Sequence, residues 1–103
     1  MTALEPLLQH PTRLTVMAFL SGCTEAEFSA VRDYCQVSDS VLSKTAGVLE
    51  EAGYVTVRKG YVGKRPKTWL AATRAGNKAL AGHLASLQAI VAAAEAAGAA
   101  HHG

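Results

Sequence analysis

A chain of 103 residues, 50% hydrophobic and only 6% aromatic, can enclose one core but is too short to divide into two ordinary domains, so we expect one mainly helical domain over residues 1–103. The formal net charge of +2 is small, yet seven of the ten basic residues lie between positions 58 and 78, where there is no Asp or Glu, which predicts a positive face and a polyanionic partner. No apolar run approaches the roughly 20 residues of a membrane span and the first residues lack signal-peptide features, so we expect no membrane partner and a cytoplasmic location.

The first part of the chain predicts two helices. Pro11 suits the first turn of a helix, and apolar residues follow at helical spacing, which predicts a helix over about 11–21. After a polar stretch, Ser29 is a candidate N-cap for a second, short helix over about 29–35. A tight connection over residues 36–38 follows, so the next helix begins almost at once.

A third helix is predicted from Asp39 to about Ala52. Ser38 is a good N-cap for it, and Gly53 can adopt the left-handed conformation that ends helices. Its apolar positions fall at helical spacing and define one buried face: Leu42, Ala46 and Leu49. The opposite, solvent-facing side carries Ser40, Ser43, Lys44 and Gly47.

Two strands are predicted after the third helix. Residues 54–59 are β-branched and alternating, and residues 68–72 are a plausible return strand. The loop between them contains Gly60, Gly63 and Pro66. The sequence thus predicts a small β-hairpin with a basic tip, closing a core over about 9–73.

A long helix over about 74–97, capped by Thr73, is predicted to end the domain. Apolar residues recur along it at steps of four and three: Leu80, Leu84, Leu87, Val91 and Ala94. A helix of about 36 Å would extend past so small a core, so we expect this seam to bind a second copy of the chain. The polar end over residues 98–103, with His101 and His102, is expected to fray.

The predicted fold is an α+β arrangement of three helices, a basic hairpin and a long dimerisation helix. This order of elements is typical of a winged helix-turn-helix. Residues 9–75 resemble the MarR-like and ArsR-like winged helix regulators, and above all their small winged helix DNA-binding subgroup. The resemblance rests on the stretches His10–Leu14, Val37–Lys44, Leu49–Val55, Arg65–Trp69 and Thr73–Gly76. It implies a regulator of transcription that binds double-stranded DNA.

The third helix and the hairpin are the predicted DNA-binding elements. The N-terminal turns of an exposed helix can approach base edges in the major groove, and the positive end of the helix dipole favours phosphate. The candidate contacts on this helix are Ser38, Asp39, Ser40, Val41, Ser43 and Lys44. The candidate phosphate and minor-groove contacts on the hairpin are Arg58, Lys59, Lys64, Arg65 and Lys67. A homodimer would present two such helices to a pseudopalindromic site, as a repressor does.

Other functions remain open at this stage. No nucleophile with its base, carboxylate pair or phosphate loop is evident, so we expect neither an enzyme nor a cofactor. A metal- or redox-responsive sensor would draw on the scattered ligands His10, His83, His101, His102, Cys23 and Cys35, which lack ligand spacing. Winged helices also serve as protein-interaction modules without DNA. A small-molecule effector, if any, is not identified by the sequence.

Overall fold

The computed structural model describes residues 4–101, and within this range it contains four α-helices and a three-stranded sheet. The elements are α1 (Pro11–Ser21), β1 (Ala26–Glu27), α2 (Phe28–Cys35), α3 (Asp39–Glu51), β2 (Val55–Val62), β3 (Arg65–Ala72) and α4 (Arg74–His101), preceded by a short 3-10 helix (Pro6–Gln9). This is the winged helix-turn-helix arrangement that the sequence predicts, with a long C-terminal helix.

The starts of α1 and α2 are set by different means. His10 caps α1, because its Nδ1 atom accepts a hydrogen bond of 3.2 Å from the backbone N–H of Thr12. α2 begins at Phe28, and its N-cap residue Glu27 makes no capping hydrogen bond through its side chain. The prediction that Ser29 caps this helix is therefore wrong, since the chain enters α2 directly from strand β1.

α3 begins and ends as its sequence predicts. The Ser38 hydroxyl accepts a hydrogen bond of 3.2 Å from the N–H of Val41, which satisfies one of the unpaired donors of the first turn. The turn that separates α2 from α3 passes through Gln36 in the left-handed conformation, with φ of 55°. At the other end Gly53 has φ of 81°, a conformation that favours glycine, and the chain then enters β2.

The sheet is larger than the predicted hairpin. β2 and β3 pair antiparallel along their full length, from Val55 opposite Ala72 to Val62 opposite Arg65. The loop predicted between residues 59 and 68 is therefore wrong, because only the tip around Gly63, with φ of 62°, forms the turn. β1 was not predicted at all. It has only two residues, too few to show alternation, and it adds to the free edge of β3.

The core lies where α1, α2 and α3 meet the inner face of the sheet. Nine large side chains are fully buried there: Leu8, Val16, Met17, Leu20, Val31, Leu42, Leu49, Val55 and Leu70. The first turns of α4 cover this core after a cap by Thr73, whose hydroxyl accepts the Gly76 N–H at 3.0 Å. Gly76 is buried against the carbonyl of Tyr54, the residue that precedes β2. The backbone of α4 therefore lies directly against the backbone of the turn between α3 and β2.

α4 has a buried half and an exposed half. Gly76, Leu80, His83 and Ser86 are buried, and His83 accepts a hydrogen bond of 3.1 Å at Nδ1 from the backbone N–H of Glu5. Residues 88–101 are exposed and continue as helix to His101, so the prediction that the end frays is wrong for residues 98–101. His102 lies outside the described residues. The described chain measures 68 × 25 × 20 Å.

By length and composition alone α4 is able to cross a membrane, contrary to the expectation from the sequence that no segment could do so. The alanines that favour a long helix also make it apolar enough to meet the criterion. Its first half, however, contributes Leu80 and His83 to the interior of the domain, and these residues are not available to lipid.

Candidate nucleic-acid interface

The outer side of α3 is open to solvent along its first three turns. Ser40, Val41, Ser43, Lys44 and Gly47 are all exposed, while the inner side is buried at Leu42, Thr45, Ala46 and Leu49. A helix held in this way presents its outer side without its own domain obstructing it. The predicted candidates on this helix therefore share one accessible surface, with Ser38 occupied as the N-cap.

Asp39 is the acidic member of this surface, and it is paired. Its Oδ1 atom lies 2.8 Å from Nη1 of Arg32 on α2. Arg32 also holds Asp33 through Nε at 2.9 Å. The hydrogen bonds that Arg32 donates to Asp39 and, to a smaller extent, to Asp33 raise the pKa of Arg32 above its ordinary value. The pair connects the two helices across the turn and offsets the charge of Asp39.

The hairpin formed by β2 and β3, here called the wing, carries different side chains on its two faces because alternate residues of a strand point in opposite directions. Val57, Lys59, Thr68 and Leu70 line the side that faces α3. Together with Ser43, Gly47 and other residues of α3 they enclose an open groove of about 750 Å³. Lys59 thus lies next to α3, on the same side of the molecule as the exposed helix face.

The opposite face of the wing carries Arg58, Lys67 and Trp69. Arg58 is bound to Glu25 by two hydrogen bonds, Nη2 to Oε1 at 2.7 Å and Nε to Oε2 at 3.0 Å. The guanidinium also stacks on Trp69, 4.0 Å from the ring centroid. The hydrogen bond from Arg58 lowers the pKa of Glu25, and the same bond raises the pKa of Arg58.

Lys67 also forms an ion pair, although a longer one, since its Nζ atom lies 3.7 Å from Oε2 of Glu27. Five cations of the wing are predicted from the sequence to contact DNA, and two of them are therefore paired with carboxylates in the isolated chain. Sequence reasoning missed this because the run from 58 to 78 has no acidic residue of its own. The partners come from the segment before α2, which β1 places against β3.

The tip of the wing is exposed. Lys64 and Arg65 point into solvent, and so does Tyr61, which is 74% exposed and hence does not pack on its own hairpin. Over residues 4–101, no ion pair involves Lys44, Lys59, Lys64 or Arg65. These four cations, on α3 and on the inner side and tip of the wing, are free to meet an anion.

Part of the predicted seam of α4 packs on the core of its own chain, and the rest of it is exposed. Leu80 is only 6% exposed and belongs to the core of its own chain, and Leu87 is half-buried. Leu84 and Val91 are 43% and 54% exposed, and Ala94 is also exposed. Ile90, which the seam omits, is 53% exposed beside them. The apolar surface available to a partner is thus the part of α4 beyond the core.

The candidate metal and redox residues are dispersed. Over residues 4–101, no three His, Cys, Asp or Glu side chains are grouped closely enough to hold a metal ion. His10 and His83 each accept a backbone hydrogen bond at Nδ1. Cys23 is exposed, and burial raises the pKa of the half-buried Cys35 thiol, which disfavours the reactive thiolate.

Comparison with known families gives a match to a model described as a winged helix DNA-binding domain, over residues 12–91. This span includes α1 to α3, the wing and the buried half of α4. None of the curated protein sequences compared with the chain matches it.

Solved structures include close neighbours of the fold. A transcriptional regulator homologue from Pyrococcus horikoshii OT3 is 29% identical, with a TM-score of 0.80 over 86% of this chain and 88% of that one. The transcriptional repressor BigR from Xylella fastidiosa is 26% identical, with a TM-score of 0.64 over 78% and 74% of the two chains. A MarR family transcriptional regulator from Silicibacter pomeroyi DSS is 22% identical, with a TM-score of 0.66 over 80% and 54%, and shows the same fold. The resemblance to winged helix regulators is confirmed.

Proposed function

The chain belongs to the winged helix DNA-binding domain family, and from this premise we propose that it is a homodimeric transcription regulator that represses by occupying a pseudopalindromic DNA site. The observation that carries the proposal is the exposed outer side of α3, together with four cations on α3 and the wing that make no ion pair over residues 4–101. In the proposed complex α3 enters the major groove and the wing follows the adjacent backbone.

Direct readout falls to the first turns of α3. The hydroxyls of Ser40 and Ser43 can donate to or accept from several base edges, and Val41 is suited to a thymine methyl group. Lys44 reaches either guanine or phosphate. None of these residues makes the bidentate contact of an arginine to guanine, so the sequence preference is expected to be modest and to rely partly on DNA shape.

The wing supplies charge rather than sequence information. Lys59 lies on the side nearest α3, and Lys64 and Arg65 lie at the tip, so all three can face the sugar-phosphate backbone while α3 occupies the groove. Exposed Tyr61 lies two residues beyond Lys59 on β2 and shares its strand face. The α3-facing side and the tip of the wing therefore form the proposed contact surface.

Dimerisation is proposed through the exposed half of α4. The helix has 28 residues and so is about 42 Å long, which extends well beyond the core that covers its first turns. Leu84, Ile90 and Val91 leave an apolar surface along the remainder, and a second copy of the same helix is the occupant of matching chemistry. To read a pseudopalindromic site, such a dimer would need its two α3 helices about 34 Å apart, which is one turn of DNA.

The proposed mechanism is occlusion, in which the bound dimer blocks the start of transcription. BigR, one of the structural neighbours, is described as a transcriptional repressor. Such a regulator acts where the genome is, so we propose a cytoplasmic location, with the buried half of α4 docked on its own domain rather than in a membrane.

Selection of bound sequences from random duplexes tests this function. A homodimer that reads DNA should enrich an inverted repeat whose half-sites are about one helical turn apart. Enrichment of a single half-site would contradict the dimer but not DNA reading. If no DNA sequence is enriched and the chain instead binds a protein partner with an affinity that does not depend on salt, the result would support a protein-interaction module.

A further inference from the structure

The cations of the wing differ in what surrounds them. Lys59 lies on the α3 side and Lys64 lies in the turn at the tip. Arg65 is on the same face of β3 as Lys67 but lies at the exposed tip. None of the three has a carboxylate partner over residues 4–101. Arg58 and Lys67 lie on the other face, and each is bound to a glutamate of the segment before α2. Charge alone made these five residues look equivalent, whereas the structure separates them into two groups.

Arg58 is held from three directions. Glu25 binds both sides of its guanidinium fork, at 2.7 and 3.0 Å, and Trp69 supports its flat face at 4.0 Å. Arg58 and Trp69 are directly opposite each other in the β2–β3 pairing, and Trp69 is also opposite Glu27 of β1. A bidentate carboxylate and a stacked ring use the planar geometry of arginine in full, and a lysine could reproduce neither.

These contacts connect the wing to the body of the domain. β1 pairs with β3 at only two positions, Ala26 with Leu70 and Glu27 with Trp69, so it is a weak attachment by itself. The Arg58 contact to Glu25 attaches β2, the outer strand, to the same segment across the face of β3. The wing therefore has a side-chain link on the face that points away from α3.

We propose that Arg58 is a positioning residue that fixes the wing through Glu25 and Trp69, and that the wing contacts DNA with Lys59, Lys64 and Arg65 instead. The inference rests on the proposed function, since it specifies which residues of that interface touch the duplex. It replaces the sequence-based assignment of Arg58 to DNA contact. Lys67, bound to Glu27, belongs to the same supporting face.

The substitution Glu25→Gln distinguishes a phosphate-contact role of Arg58 from a positioning role, because the two roles predict opposite changes in DNA affinity. If Arg58 were a phosphate contact, removing its carboxylate would free it, so that DNA binding would tighten and become more salt-dependent. If Arg58 positions the wing, the same change loosens the wing, so that Kd for duplex DNA rises about threefold to tenfold while the salt slope stays within half a unit. Glu51→Gln, at an exposed acid at the end of α3, is the control for the loss of one negative charge.

The Arg58 variants supply the second comparison. We expect Arg58→Ala to weaken binding with little change in salt slope, and Arg58→Lys not to restore it despite keeping the charge. Lys64→Ala should instead reduce the slope by about one unit, the effect of losing one phosphate contact. An Arg58→Ala variant that loses a full unit of slope, or a Glu25→Gln variant that binds more tightly, would overturn the proposal.

A readout without DNA distinguishes this proposal from the proposed function. Trp69 is the only tryptophan of the chain, so its fluorescence reports the Arg58 stack directly. Arg58→Ala and Glu25→Gln should each shift its emission to longer wavelength, and the double variant should shift it no further than Arg58→Ala does. If the wild type binds no duplex, this shift still supports the positioning role. Unchanged emission in both single variants would overturn it.

Discussion

The carboxylate of Asp39, in the first turn of α3, lies 2.8 Å from the guanidinium of Arg32 on α2. This contact joins the two helices of the helix-turn-helix and offsets the one acidic charge among the α3 residues proposed to face DNA. Asp39 also lies at the positive end of the α3 dipole, where a carboxylate is favourable. Its presence on a surface proposed to face phosphate thus has a structural reason.

Substitution of this pair should change DNA affinity in opposite directions. Asp39→Asn removes a negative charge near phosphate, an effect of up to about 1 kcal/mol, or about fivefold in Kd, so binding should tighten. Arg32→Gln leaves Asp39 unpaired and should weaken binding by a similar factor. Titration of both variants against one duplex at fixed salt measures this. Equal Kd values for the two variants would show that Asp39 does not face the DNA.

Gly76 is predicted to be the least tolerant glycine of α4. A Cβ atom there would overlap the Tyr54 carbonyl and approach Cε of Met17 to 2.8 Å. Gly76→Ala should therefore lower the free energy of unfolding by about 1–3 kcal/mol, as overpacking does. Gly82→Ala is the matched control, since its Cβ would meet nothing within 4 Å, and alanine should stabilise the helix by about 0.5–1 kcal/mol. Urea unfolding of the two variants should show a lower free energy of unfolding for Gly76→Ala and a higher one for Gly82→Ala.

The proposed dimer depends on the exposed part of α4. Val91→Glu places a charge in the apolar surface and should convert the dimer to a monomer without unfolding the domain, because Val91 makes no contribution to the core. Ala89→Glu, on the opposite side of the same helix, should leave the dimer intact. Sedimentation equilibrium at micromolar concentration compares them. A wild type that is already monomeric there would refute the proposed interface.

The attachment of the wing is predicted to weaken in acid. Glu25 has a lowered pKa in the folded chain because Arg58 donates to it. A carboxyl group of this kind contributes to stability above its ordinary value of 4.5, and the contribution is lost as pH falls through the lower folded value. Trp69 emission of the wild type should therefore change below about pH 4.5, and Glu25→Gln should lack that step. An identical step in the variant would assign it to another group.

Much of this architecture is evident in the sequence because local signals decide it. Pro11 in the first turn of α1, the caps at Ser38 and Thr73 and the stop at Gly53 set helix boundaries within a residue or two. β1 escaped prediction because a two-residue strand exists only through its pairing with β3. Ser29 was predicted as a cap because the sequence around it gives no sign that a strand leads directly into α2.

The surface was harder to predict than the fold. The basic run from 58 to 78 correctly locates the wing, but a count of charges does not show that Glu25, far away in sequence, binds Arg58. Heptad spacing on α4 likewise does not separate residues that cover the chain's own core from those beyond it, so Leu80 was grouped with Val91. In both cases the missing information is tertiary proximity, which periodicity does not contain.

The dependence of DNA binding on salt tests the central claim most directly. The logarithm of the association constant should fall steeply with the logarithm of salt concentration, and the slope should become shallower by about three units when Lys59, Lys64 and Arg65 are all replaced by alanine. Lys78→Ala, at an exposed position of α4 outside the proposed interface, should change it by less than half a unit. A wild type that binds no duplex at low salt, or a triple variant with the wild-type slope, would contradict the account.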